Sequence, residues 1–175
     1  SVQRDGSETI GAAIDWLDSE PKHPFLLWLH LYDPHDPYKP AEPYKSQYRH
    51  PYDAEVAYTD ALIGNFRQAL EERDLLDSTL LVLTSDHGEG LGQHQEGFHG
   101  FFVYDSTMRV PLILRPPFGN LAGTVVEEAV SHVDLMPTIL DAVGLPIPEQ
   151  VQGESLLPLF LRLPSEPADE RLVYS

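Results

Sequence analysis

The chain has 175 residues, 42% of them hydrophobic, enough for a buried core in a single domain of ordinary size. Lys and Arg total 11 against 28 Asp and Glu, a formal charge of -17, which leaves no basic face for a nucleic-acid backbone or an anionic lipid surface. No run approaches the roughly 18 apolar residues of a membrane span and no signal-peptide pattern opens the chain, so a soluble protein is expected; with no cysteine, disulfides, thiolate metal sites and a Cys nucleophile are excluded within these residues.

In chain order, Ser7 to Glu20 carries Ile10, Ala13, Ile14 and Leu17 at helical spacing and predicts an amphipathic helix capped by Ser7 or Thr9. Phe25 to Tyr32, bounded by Pro24 and Pro34, is a nearly unbroken apolar run of the kind expected for a strand covered on both faces. Five prolines between Asp33 and Pro51 predict a surface loop, in which Tyr38, Tyr44 and Tyr48, with Tyr52 just beyond, either line a pocket or cover the surface. Tyr52 to Arg73 returns to helical spacing, with Val56, Ile63, Phe66 and Leu70 on one stripe. Thr79 to Thr84 predicts a second buried strand, Val110 to Leu114 a third, and Asp134 to Val143 a helix capped by Asp134 and closed by Gly144. Arg171 to Ser175 begins a further apolar strand and then stops, which suggests a piece cut from a longer domain. Strands alternating with helices predict an α/β fold with a largely parallel sheet flanked by helices, and ligands beyond the carboxyl ends of its strands.

The chemistry concentrates in SDHGEGLGQHQEGFHG, Ser85 to Gly100. Asp86 and His87 would point to opposite faces of an extended strand. Gly88, Gly90 and Gly92 let the backbone turn, so that a carboxylate and an imidazole converge on one divalent cation as half of a metal site. Taken alone, Asp-His-Gly is more often a turn. Its place after a predicted strand, with His94 and His99 close behind, favours the ligand reading. His35, in Asp33-Pro34-His35-Asp36-Pro37, is placed to donate hydrogen bonds or a proton to an anionic ester. His30 is either a satisfied core or supporting histidine embedded in the apolar run or part of the same crevice, and His23, His50 and His132 are read as solvent-exposed. Arg109 either clamps an anion or pairs with Asp105.

Four segments in one order, HLYDPHDPY, YDAEVAYTDALIG, LLVLTSDHGEGLGQHQEGFHGFFVYDSTMRVPLILRPP and SHVDLMPTILDAVGLPIPEQVQGESLLPL, make the chain resemble the middle and carboxyl-terminal part of a sulfatase catalytic domain, in the alkaline phosphatase superfamily. The resemblance implies a sulfuric ester hydrolase with one divalent cation, calcium by family habit, with magnesium, manganese or zinc as alternatives. It implies Asp86 and His87 as metal ligands, His35 as the His-x-Pro residue that contacts sulfate or assists the leaving group, and His99 in the place of a lysine that many members carry. Arg109 joins His35 and His99 as a substrate contact.

The same resemblance implies an Asp-Asp metal pair and a formylglycine nucleophile, made from Cys or Ser in Cys/Ser-x-Pro-x-Arg, in an amino-terminal part. No such motif stands in these residues, so residues 1–175 are expected to form a partial catalytic domain that is inactive alone. The implied substrate is a small-molecule or carbohydrate sulfate ester, and export is a habit of the family. Competing readings are a phosphonate or phosphodiester hydrolase, a phosphoethanolamine transferase, or a non-catalytic metal- or carbohydrate-binding module.

Overall fold

The computed structural model describes residues 4–118 and 122–161. The expected strand at Arg171 to Ser175 lies outside them. Two compact units divide the chain after Asp77.

In the first unit, helix α1 (Gly6–Asp18) is capped by Asp5, whose Oδ1 accepts the Ser7 backbone N–H at 2.8 Å and the Ser7 hydroxyl at 2.6 Å. The expected caps, Ser7 and Thr9, therefore lie inside the helix. Ser7 acts as the donor that anchors the true cap. These bonds and the Tyr58 hydroxyl hold the Asp5 carboxyl below its ordinary value. A short helix α2 (Tyr44–Gln47) precedes the long helix α3 (Pro51–Glu71), which begins with proline at a position whose N–H would lack a helical partner. Helix α1 packs on α3 through Ile10, Ala13 and Leu17 against a face that carries Ala54, Leu62, Ala69 and Leu70. Of the expected stripe on α3, Leu70 is buried and Ile63 and Phe66 are half-buried, whereas Val56 is exposed and Glu55 is buried in its stead.

Phe25 to Tyr32 forms no strand. Its burial alternates, with Phe25, Leu27, Leu29 and Leu31 half-buried and Leu26, Trp28, His30 and Tyr32 exposed. That is extended chain with one face packed, and no ladder among the described residues pairs with it.

The second unit holds strands β1 (Leu81–Thr84) and β2 (Leu112–Arg115), separated by a glycine-rich loop and a one-turn helix α4 (Asp105–Met108). They pair antiparallel, Leu81 with Arg115 and Thr84 with Leu112, so the ladder seen among the described residues departs from the expected parallel sheet. The reason is the connection. A parallel crossover normally carries a helix across the sheet, whereas the chain between β1 and β2 turns back as loop. Each residue of β1 is half-buried rather than fully covered.

Helix α5 (Leu135–Ala142) and helix α6 (Leu157–Leu161) complete the unit, whose core gathers Leu156, Leu157 and Phe160 with Leu112, Leu114 and Ala142. Asp134 stands at the expected cap position of α5, where its side chain caps no helical N–H and instead forms the far half of a capping box. Ser131 caps the 3-10 turn His132–Asp134, and the Asp134 carboxylate, fully buried, accepts the Ser131 N–H at 2.7 Å and the Glu154 N–H at 3.0 Å. The neighbouring Thr138 hydroxyl donates to the Asp134 carbonyl and accepts the Leu156 N–H. One buried carboxylate thus ties the start of α5 to the segment entering α6. Asp134→Ala removes the buried acceptor of two partly buried N–H groups and should cost about 3 kcal/mol in urea unfolding. A loss below about 1 kcal/mol would show that these bonds do not fasten the unit.

Candidate active site

The described chemistry falls in both units. In the first, His35 is held by three contacts. Its backbone N–H donates to Glu55 Oε2 at 3.1 Å, its ring Nδ1 lies 2.6 Å from the Asp36 carbonyl, and its ring rests 4.3 Å from that of Tyr32. A carbonyl oxygen can only accept, so Nδ1 carries the proton. Glu55 Oε1 takes the backbone N–H of Lys39, so one buried carboxylate grips both sides of the Pro37 turn. Burial pushes the Glu55 carboxyl above its ordinary range, against the pull of those two N–H donors. Asp33, whose Oδ2 accepts the Gly6 N–H at 3.1 Å, is likewise raised by burial.

Glu55 was not among the residues singled out from sequence, although its spacing carried a signal. It stands seven and fourteen residues before Leu62 and Ala69, on the face that packs inward.

In the second unit, β1 ends at Thr84 and the backbone folds back on itself. The Ser85 hydroxyl donates to the His87 carbonyl at 2.6 Å, and the Gly88 N–H donates to the Thr107 carbonyl at 2.8 Å. A Cβ at Gly88 would stand 2.2 Å from the Ser106 carbonyl oxygen, so this glycine allows the loop to lie directly on α4. The left-handed turn falls instead at Gly92, with φ +98°. The result brings Asp86 and His87 to the same side, with His87 Nε2 3.9 Å from Asp86 Oδ2. Both side chains are exposed to solvent, Asp86 at 74% and His87 at 40%.

His87 Nδ1 lies 2.7 Å from the Gly88 carbonyl, which assigns the proton to Nδ1 and turns a bare Nε2 toward Asp86. Two donors of one ion stand at most twice a metal–ligand distance apart, roughly 4–5 Å, so 3.9 Å fits a shared cation. The carboxylate suits calcium, magnesium and manganese, while the imidazole favours transition ions, so manganese and zinc match the pair better than calcium does. Among the described residues no group of three or more His, Asp or Glu converges as a complete metal cage would.

The His99 ring lies against that of His87, with ring centroids 4.0 Å apart and the rings tilted by 30°. Its Nδ1 lies 3.1 Å from Oε1 of Glu89, a side chain only 7% exposed. A carboxylate there favours a proton on Nδ1 and fixes the ring's direction. Glu89 is the second residue that sequence reasoning missed, since a lone acid in a glycine-rich loop reads as solvated. Glu96 is buried as well, and its Oε1 accepts the Phe102 N–H.

The remaining histidines part company. His94, at φ +56°, stacks on Tyr104 with ring centroids 4.2 Å apart. His30 is exposed, so it is not a core residue. His23, His50 and His132 are exposed too, and His132 lies 3.1 Å from the Thr84 hydroxyl. Arg109 caps α4 through its backbone N–H to the Asp105 carbonyl, and no ion pair among the described residues joins the two side chains.

The Sulfatase family model matches residues 8–145. The chain belongs to the sulfatase family. This sulfatase chain is 43% identical over 108 residues to human arylsulfatase K, covering 62% of the chain and 20% of that protein. It is 39% identical over 125 residues to an N-acetylglucosamine-6-O-sulfatase of Bacteroides thetaiotaomicron, covering 71% of the chain and 22% of that protein. The phosphonate monoester hydrolase of Agrobacterium radiobacter shares the fold, with a TM-score of 0.84 at 24% identity over 94% of the chain and 44% of that structure. The sulfatase chain thus spans about a fifth of the length of these two curated relatives. None of its described helices is long and apolar enough to cross a membrane.

The Glu55 carboxyl generates a pH-dependent prediction. Its folded value lies above the ordinary 4.5, so its contribution to stability is full below that pH and is lost as pH rises through the folded value. Glu55→Gln does not titrate. The stability advantage of wild type over this variant should therefore be larger near pH 4.5 than at alkaline pH, read by denaturant melts across the range; a gap that widened with rising pH would contradict the assignment.

Proposed function

We propose that this chain is part of a sulfuric ester hydrolase acting on a small-molecule or carbohydrate sulfate, in which Asp86 and His87 supply part of a divalent-cation site. The observation that carries the reading is the turn after β1, where a carboxylate, a bare imidazole nitrogen and a glutamate-held histidine lie side by side. The names of the two curated relatives, an arylsulfatase and an N-acetylglucosamine-6-O-sulfatase, support sulfate as the group removed. The phosphonate hydrolase supports the fold alone at its level of identity.

A bound cation would supply the positive charge that neutralises the sulfuryl oxygens as the ester bond breaks. The chain's own residues do the rest of what falls to it. Asp86 and His87 would hold the ion, and the Gly88 carbonyl keeps His87 in the tautomer whose Nε2 is bare. With Nδ1–H held by Glu89, His99 acts as proton donor only as the imidazolium, whose Nε2–H goes to the leaving oxygen and leaves the neutral ring behind. His35, in the first unit, and Arg109, in the second, are each proposed as anion contacts on the family resemblance alone. Neither a Cys nor a Ser-x-Pro-x-Arg stands in these residues, so the nucleophile and the Asp-Asp pair implied by the sulfatase resemblance belong to other residues of the parent protein.

The test is sulfate release by the full-length parent. Asp86→Ala should lower kcat/KM on an aryl sulfate by about a hundredfold or more and reduce the bound divalent metal in the same preparation. The 175-residue chain alone should release no sulfate. Retained activity together with retained metal in the variant would refute the assignment, as would turnover by the chain alone for the placement of the nucleophile.

A further inference from the structure

The loop that carries His99 is pinned at both ends. Glu96, only 8% exposed, stands three residues before that histidine, and Phe102 three residues after it. The Glu96 carboxylate accepts the Phe102 backbone N–H through Oε1 at 3.2 Å. We propose that Glu96 is a positioning residue for His99: by closing residues 96–102 into a loop, its carboxylate holds the histidine against His87 and Glu89. The inference rests on the hydrolase reading for its consequence in catalysis, though not for the geometry that Glu96 fixes.

Both ends of this loop are tied to the turn that bears His87. At the far end, the Phe102 carbonyl accepts the Thr107 hydroxyl at 3.1 Å, and the Thr107 carbonyl accepts the Gly88 N–H at 2.8 Å. At the near end, the Glu96 carbonyl accepts the Gly92 N–H at 2.9 Å, and the Glu96 N–H donates to the Gln93 carbonyl at 3.0 Å. Gly90 lies against the same loop, where a Cβ would stand 2.6 Å from the Phe98 carbonyl oxygen, and its N–H shares Glu89 Oε1 with His99 Nδ1. Glu96 therefore bonds through its N–H, its carbonyl and its carboxylate. Only the carboxylate bond spans His99.

The surrounding chain gives that bond its weight. His94 and Gln95, directly ahead of Glu96, are consecutive non-glycine residues with φ +56° and +65°, a left-handed pair that persists only where neighbouring contacts impose it. Beyond Glu96, the backbone turns again at Gly100 with φ +103°, and Phe98 and Phe101 are exposed, so apolar packing does little to hold the segment. Polar contacts must do it instead. The second carboxylate oxygen of Glu96, Oε2, is buried and makes no hydrogen bond among the described residues. The clamp is thus the work of one oxygen, which an amide can supply and a methyl group cannot.

The experiment compares Glu96→Ala and Glu96→Gln in the full-length parent on para-nitrophenyl and para-methoxyphenyl sulfate. The nitrophenolate leaves readily without a proton, whereas the methoxyphenolate, a much stronger base, depends on a proton donor. With the donor displaced, kcat of Glu96→Ala on the methoxyphenyl ester should fall by about tenfold or more beyond its fall on the nitrophenyl ester, and Glu96→Gln should recover most of that difference. The ratio of the two rates does not depend on how much of a variant folds. Alongside, proton–nitrogen correlations of the 175-residue chain labelled at histidine nitrogens should show a sharp His99 Nδ1–H signal in wild type and Glu96→Gln, lost to solvent exchange in Glu96→Ala. Equal losses on the two esters in Glu96→Ala, or a His99 signal unchanged by that substitution, would overturn the proposal. Failure of the hydrolase reading would show separately, as absence of sulfate release by the wild-type parent, and the His99 signal would still decide whether Glu96 positions the ring.

Discussion

The hydrogen bond between His87 Nδ1 and the carbonyl of Gly88 is the constraint on which the site's chemistry depends. An imidazole at the end of a strand is free to take either tautomer, and only one of them leaves Nε2 bare on the side of Asp86. The carbonyl selects that one. Its own position is set by Gly88, which can approach the backbone of α4 closely because it has no Cβ. A glycine that admits a close approach, a carbonyl that fixes a tautomer and a carboxylate 3.9 Å from the freed nitrogen form one chain of cause.

A second theme is the use of buried glutamates as clamps. In a chain with 28 acidic residues, most carboxylates face water, yet Glu55 and Glu96 are buried, as is the side chain of Glu89. Glu55 and Glu96 bind backbone N–H groups of loops, and Glu89 binds both the Gly90 N–H and a histidine ring. Loops rich in proline or glycine lack helical or ladder partners for their N–H groups, and an ionised carboxylate is the strongest acceptor available to them. Acid content that reads as surface charge therefore includes the residues that shape the site.

The helices were legible because their periodicity is local. The ends of α1, α3 and α5 fall within about two residues of expectation, as helix termini usually do. The caps were less legible: Ser7 lies inside α1 as a donor to the cap Asp5, and Asp134 stands at the α5 cap position but gives its carboxylate to Ser131 and Glu154. Strands were harder for a physical reason: apolar character predicts burial, while a strand is defined by a partner elsewhere in sequence. Phe25 to Tyr32 is apolar and extended without a ladder, and the direction of pairing between β1 and β2 is decided by a loop with no periodicity to read. Asp86, His87, His99 and His35 stood out by residue type and by resemblance. Glu55 and Glu89 did not, because a buried acid is identified by its acceptor contacts and these exist only once the loops have folded.

The most direct test of the account is the protonation pattern of His87, read from long-range proton–nitrogen correlations of the chain labelled at histidine nitrogens, at a pH where the ring is neutral. The structure predicts a proton on Nδ1 and an unprotonated Nε2. A neutral His87 carrying its proton on Nε2 would point an N–H at Asp86 instead of a lone pair, and the cation-binding account would fail with it.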